Sequence, residues 1–453
     1  MTTLSSSTKH SNLLKGDVQP VKMSPVAQAA VERVLQMSEA VNPLLDKQTA
    51  LYQKAKARFA ALGFPTQKWE DWKYTRLTQF LQQTFALPMA KITLSINDIE
   101  PFLPDFSVYS LVFVDGQFAD TLSDDLPEGV TFKLMSPTVS PEQDWLADAD
   151  DFLAESFAAL NLLLAQSGGQ LEVAPNTQVD LPIFILHVQT QAGSSVQLHH
   201  QLRVGHGAEV QWMQETVALA EAQSVWTNVV SEIEIGENAH AHQLILQQLP
   251  ESHYYFEAQY IAQAKQSHFR THYVATGAAL SRHQNHLLIA EPSAETIQNS
   301  ACIASGQQLM DSRTDTIHGS SHGLSRQLHK YVLAGESTGV FDGMIYVDRG
   351  AMKTDGQMDN KNLILSNTAK MDAKPKLEIY EDDVKCSHGS ATGQMDKDQI
   401  FYLQARGIKR PEAIALITQA FAMEPLEDVQ GREMKQLAQN AIQQKLQTLD
   451  GIG

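Results

Sequence analysis

The chain has 453 residues, 43% of them hydrophobic and 19% charged, and its 52 acidic against 34 basic side chains give a net charge of −18. That is the composition of a folded globular protein of two or three domains, and its acidity argues against nucleic acid or an anionic membrane surface as partner. Two cysteines, Cys302 and Cys386, exclude a disulfide framework, the first 23 residues lack a signal-peptide core, and no window approaches the roughly 18 apolar residues of a membrane span, so the expected location is the reducing cytoplasm.

Residues 1–23 are rich in Ser, Thr and Lys, without periodicity, and read as a disordered tail. A mixed, mostly helical region is expected over 24–168. Ser24–Pro25 reads as a helix start, and apolar residues from Val26 to Leu51 recur at helical spacing up to the stop Gly63–Phe64–Pro65. The cluster Trp69, Trp72 and Tyr74 follows, either a recognition surface or a corner packing helix on sheet. A short strand is expected at Ser110–Val114, and a second helix over about 147–166, ended by Gly168–Gly169.

From 169 to 393 short β-prone runs such as Ile183–Val188, Met344–Val347 and Leu377–Ile379 alternate with turns at Gly205–Gly207, Gly306, Gly339 and Gly350. No helix-length periodicity intervenes, so a parallel βαβ arrangement fails. Gly350–Ala351 and Thr368–Ala369 lie 18 apart, and Cys386 lies 17 beyond Ala369. Such even spacing suits a stacked β-solenoid, with a β-sandwich or jelly roll the alternatives that pattern leaves open. Helices return over 394–453: one capped at Asp396 and running through Phe401, Tyr402 and Leu403, one from Pro411, and a Gln-rich one from about Gly431 to Leu449.

The stretch Leu377–Gly393, LEIYEDDVKCSHGSATG, carries the chemistry. In an extended chain Cys386 and His388 project from one face, which suits a soft metal site, an activated nucleophile, or a buried Cys beside a solvated His. Ten histidines between His240 and His329 pose a second choice, between a metal-collecting channel and unconnected imidazoles on separate coils. Cys302, in SACIASG, reads as a buried inert thiol. There is no P-loop, no G-x-S-x-G elbow and no H-E-x-x-H.

The run from Arg313 to Ile408, with RTDTIHGSSHG, YVLAGESTGVFDGMIYV, KTDGQMDNKNLILS, KPKLEIYEDDVKCSHGSATGQMD and FYLQARGI, resembles the SufB/SufD family of the SUF iron–sulfur cluster assembly machine, on its SufD side; GFPTQKWEDWKYTRL (Gly63–Leu77) resembles that family's N-terminal signature. The resemblance implies a right-handed parallel β-helix flanked by helical regions and a non-catalytic scaffold role. It implies two partners, SufB paired through the β-helix and the ABC-type ATPase SufC docked on the C-terminal helices; Phe401, Tyr402 and Ile408, apolar on a short helical segment with little chain left to cover them, are the expected dock. It places His388, and with it Cys386, at the joint where a transient iron–sulfur cluster shared with SufB forms. It also admits reduced flavin in the complex and a homodimer of the isolated subunit. SufB itself is the nearest rival, but its C-G-A-H-T-x-P segment is replaced here by C-S-H-G-S-A-T-G. A β-helical polysaccharide lyase is the rival from another class.

Overall fold

The computed structural model describes residues 23–88, 93–135, 155–219 and 222–449. Its centre is a β-solenoid of about eight turns, whose successive strands alternate between two sheets, one of ten strands and one of nine. From Ser195 onward each strand pairs in parallel with the strand two before it, as Tyr254–Gln263 does with Trp226–Ile235. A full coil therefore holds two strands: Asp355 lies opposite Lys385 and Thr338 opposite Lys370. The 17- and 18-residue spacing in the sequence is thus the half-coil, from one sheet to the other. Gly339, expected at a turn, lies within the strand Thr338–Val347. A β-carbon there would stand 2.7 Å from the Met371 sulfur, so close packing between coils, not a bend, requires the glycine.

Side chains alternate into and out of the solenoid. The inner face carries a hydrophobic core, with Ile183, Trp212, Ile233, Phe269 and Leu287 in the earlier coils and Tyr331, Phe341, Ile345 and Met358 in the later ones. The outer faces are covered by helices. Those before the solenoid pack on the nine-stranded sheet through Trp72, Phe80, Phe157, Trp226 and Phe256, with the Phe157 and Phe256 rings stacked at 3.8 Å. The C-terminal helix Arg432–Gln447 buries Met434, Ala438 and Ile442 against Leu244, Val274 and Ala301 of the ten-stranded sheet.

The first helix starts as expected, with the Ser24 hydroxyl accepting from the Ala27 N–H and Pro25 in the first turn. It does not run on to Leu62. It ends at Ala40, and a second helix, Ala50–Leu62, opens at the Thr49 cap. Pro43 accounts for the break, because it removes a donor and pushes Asn42 out of the helical region. Of the helix expected over 147–166, residues 156–164 are helical and 147–154 lie outside the described residues, as does the tail apart from Met23. Gly168–Gly169 does not cap that helix but opens the strand Gly168–Val173.

Within the aromatic cluster Trp69 and Trp72 pack as a corner, while Tyr74 is half-buried. Trp69 and Trp72 are buried, and the Arg282 guanidinium lies 3.9 Å from the centre of the Trp72 ring. Arg282 is ion-paired to Asp311, which also accepts from Thr75, and Arg313 reaches Asp71 at 2.9 Å and Asp315 at 3.2 Å. Among the described residues no helix is long and apolar enough to cross a membrane.

Candidate functional site at the open end of the solenoid

The stack ends without a lid among the described residues. The strand Lys370–Ile379 is the outer edge of the nine-stranded sheet and Lys385–Gln394 that of the ten-stranded sheet. Their inner-face side chains therefore meet no further coil. On Lys385–Gln394 that face carries Cys386, His388, Ser390 and Thr392, opposite Gly356, Met358, Asn360 and Asn362. Two contacts fix the orientation: the Ser390 hydroxyl lies 3.3 Å from Asn360 Oδ1, and Asn362 Nδ2 donates to Thr392 Oγ1 at 3.0 Å. Cys386 and His388 share that face, as alternation requires.

The two differ in exposure. Cys386 is half-buried against Val384, Leu377 and the end of the core. Burial pushes its thiol up, the Gly356 N–H acts against that, and the Asp355 carboxylate adds to it. His388 is exposed. A thiol and an imidazole make two soft donors, half of a tetrahedral set. Among the described residues no group of three or more His, Cys, Asp or Glu is placed to hold a metal ion.

Among the described residues the other histidines are not gathered into a group of three or more that could hold a metal ion. Several lie within the solenoid, where His283 stacks on Tyr273 at 4.1 Å and His329 hydrogen-bonds Ser300 at 2.8 Å. His286 instead faces the N-terminal helices and pairs with Asp315 at 3.0 Å, and His240 and His268 stack at the surface. Burial drives His242, His283 and His329 down to about 3, so they stand neutral and held by neighbours. Cys302 is buried and its thiol is pushed up to about 12, which makes it inert.

A second exposed feature lies just beyond the last strand. Phe401 and Tyr402, on the helix Lys397–Gln404, are 71% and 56% exposed, while Ile408 is half-buried. Leu416 on the helix Arg410–Met423 is also exposed, at 49%. The inner face of the last strand continues beyond His388 through Ser390 and Thr392, as the alternation C-S-H-G-S-A-T carries it.

Comparison with known proteins decides the family. Residues 187–421 match the SufBD core domain of SUF-system iron–sulfur cluster assembly, and residues 38–185 match the SufBD N-terminal region. The chain belongs to the SufBD family. It is 35% identical over 389 residues to the iron–sulfur cluster assembly protein SufD of Escherichia coli, covering 85% of this chain and 90% of that protein. It is 30% identical to the SufBD family protein slr0076 of Synechocystis, over 84% and 88% of the two chains, and 27% to protein ABCI7, chloroplastic, of Arabidopsis thaliana, over 84% and 82%. Membership makes it an iron–sulfur cluster assembly protein, and it disposes of the lyase. The clustered carboxylates Asp71, Asp315 and Glu155 are accordingly ion-paired to Arg313 beneath the N-terminal helices.

Proposed function

We propose that this SufBD chain is a non-catalytic scaffold that pairs with SufB through the open last coil and completes, with it, a site for a nascent iron–sulfur cluster. One observation carries the reading: the strand with Cys386 and His388 is itself an uncovered sheet edge. Unpaired backbone groups on an edge invite another strand, so a partner seated there would bring its own donors beside His388. Two donors from each side would make a four-ligand set that neither chain holds alone. The cluster is cargo on this reading. His388 is the first-choice ligand because it is exposed; Cys386, half-buried, is the second. Phe401, Tyr402, Ile408 and Leu416 would receive the ATPase SufC, an apolar patch on helices whose opposite faces are already buried.

Co-expression with SufB and SufC tests this. His388→Ala should leave the complex intact and lower the iron it carries, with Cys386→Ala comparable if the thiol is a ligand and milder if it is only a neighbour. Removing residues from 396 onward should abolish co-purification with SufC while SufB pairing persists. Normal iron in the His388→Ala complex would make that residue structural, and SufC retained by the truncated chain would place the dock elsewhere.

A further inference from the structure

The runs H-A-H from His240 and H-F-R-T-H from His268 come together on the outer face of the ten-stranded sheet. Their strands are parallel neighbours, with His240 opposite His268 and His242 opposite Arg270. Ala241 and Phe269 point into the core, so by alternation His240, His242, His268, Arg270 and His272 all point outward. The C-terminal helix Arg432–Gln447 lies over part of this face and brings Lys435 to it.

Within this patch His242 Nε2 lies 3.1 Å from His272 Nδ1, and the two residues are 1% exposed. A neutral imidazole has one N–H and one bare nitrogen. One proton is spent between the rings, so whichever tautomers are present, one N–H and one lone pair are left over. They fall on His242 Nδ1 and His272 Nε2, and neither atom has a partner among the described residues. Unpaired polar atoms at this depth call for a bound group. The charges that bear on the pair are Arg270 and Lys435, both cationic. Lys435 donates to the Glu427 backbone carbonyl at 3.2 Å, and among the described residues no carboxylate pairs with Arg270, although the chain carries a net charge of −18. The carboxylates nearest in register, Glu209 and Glu295, flank His240 and His268 instead, and Glu295 lies 3.3 Å from His268.

We propose that this patch is an oxyanion site that takes a phosphate group, held by Arg270, Lys435 and the spare N–H of the His242–His272 pair. A metal cation does not suit it, because two fixed positive charges would repel the ion. A buried water would satisfy the leftover N–H and lone pair but would leave both cations without a counter-charge. A phosphate dianion matches the two charges, and its oxygens serve the guanidinium fork, the ammonium and the imidazole at once. His240 and His268, stacked at 4.4 Å, form the rim on the solvent side.

The experiment titrates the full chain with inorganic phosphate and with phenyl phosphate at pH 7 and constant ionic strength, by calorimetry, with chloride as the control. Both phosphates should bind, and the imidazole nitrogen resonances of His242 and His272 should move with phosphate and not with chloride. Equal affinities would assign free phosphate as the ligand; tighter phenyl phosphate would assign the phosphate group of a larger molecule. Arg270→Gln, at a half-buried position, should weaken binding roughly ten- to a hundred-fold, the loss of a charge-assisted hydrogen bond. Lys435→Gln, on the helix surface, should weaken it in the same direction and serves if the first variant does not fold. Phosphate binding no tighter than chloride, or unchanged in a folded variant of either residue, would overturn the site and leave the pair to a buried water.

Discussion

Arg282 lies flat against Trp72, its guanidinium carbon 3.9 Å from the ring centre, with Nη1 on Asp311 and Nη2 donating to the Asp71 carbonyl at 3.0 Å. The N-terminal signature is thereby explained as a fastener. Trp72 fills the corner between helix and sheet, stacked on Phe157 at 5.4 Å, while Asp71 and Thr75 take up charges of the solenoid. Trp72→Ala should cost about 3–5 kcal/mol, and Arg282→Lys should fail to preserve the corner because a point charge cannot serve the ring, the carboxylate and the carbonyl together. Urea midpoints, with limited proteolysis of the N-terminal region, check both. A Trp72→Ala protein as stable as wild type would refute the fastener.

Acid should unfold this protein early. Six buried histidines, His187, His242, His253, His283, His318 and His329, are driven by burial to about 3 or 4, against about 6.5 in the unfolded chain. Their contribution is whole above pH ~6.5 and drains as pH falls toward 4. Glu215 and Glu257 oppose this, because burial pushes both up to about 7, so the folded state gains from their protonation as pH falls through that value. Six groups outweigh two. Each net proton steepens the loss by about 1.4 kcal/mol per pH unit, and the measured urea midpoint should decline from pH 6.5 downward. A midpoint flat between pH 7 and 5 would contradict the burial of these rings.

The two thiols should separate cleanly under alkylation. Cys386 is half-buried and its thiol is raised by burial, so it should react more slowly than a free cysteine and speed up with pH. Cys302, pushed up to about 12, should react only on unfolding. Mass spectrometry after brief iodoacetamide treatment would read one adduct, at residue 386, and pairing at the open coil should slow it further.

One corner of the solenoid is a column of left-handed residues: Gly207, Asn238, Gln266, Ser293, His322 and Lys353, with φ between 55° and 63°. The N–H of each donates to the coil above, as Gln266 does to Pro292 and His322 to Met352. Gln266→Gly should therefore leave stability unchanged or raise it by up to about 1 kcal/mol, whereas Gln266→Val should lower it by about 1–2 kcal/mol. Thermal melts of the two variants should move in opposite directions, or the first not at all.

That column also explains what was legible in the sequence and what was not. The strands could be found because β-prone runs such as Ile183–Val188 and Leu377–Ile379 each fall inside one. The coil length could not, because only one of these six corners carries the glycine by which a left-handed turn is usually recognised, and Gly339 marks close packing instead. Asn42–Pro43 and Thr49 did signal the break in the first helix, but the apolar period ran through them. The shared face of Cys386 and His388 was legible from a period of two. Its place in the last coil was legible as well, because helices return directly after Gly393.

A stack of coils is held together only by nearest neighbours. Every interior coil has two of them; the coil bearing Cys386 and His388 has one. Fraying therefore begins there, and the free energy needed to open that strand is the smallest in the solenoid. A partner seated on the edge, as proposed, would supply the absent neighbour, so Cys386 and His388 would become rigid only on pairing. Hydrogen exchange would register this as a gradient of protection along the solenoid, lowest at its last strand, that flattens upon assembly.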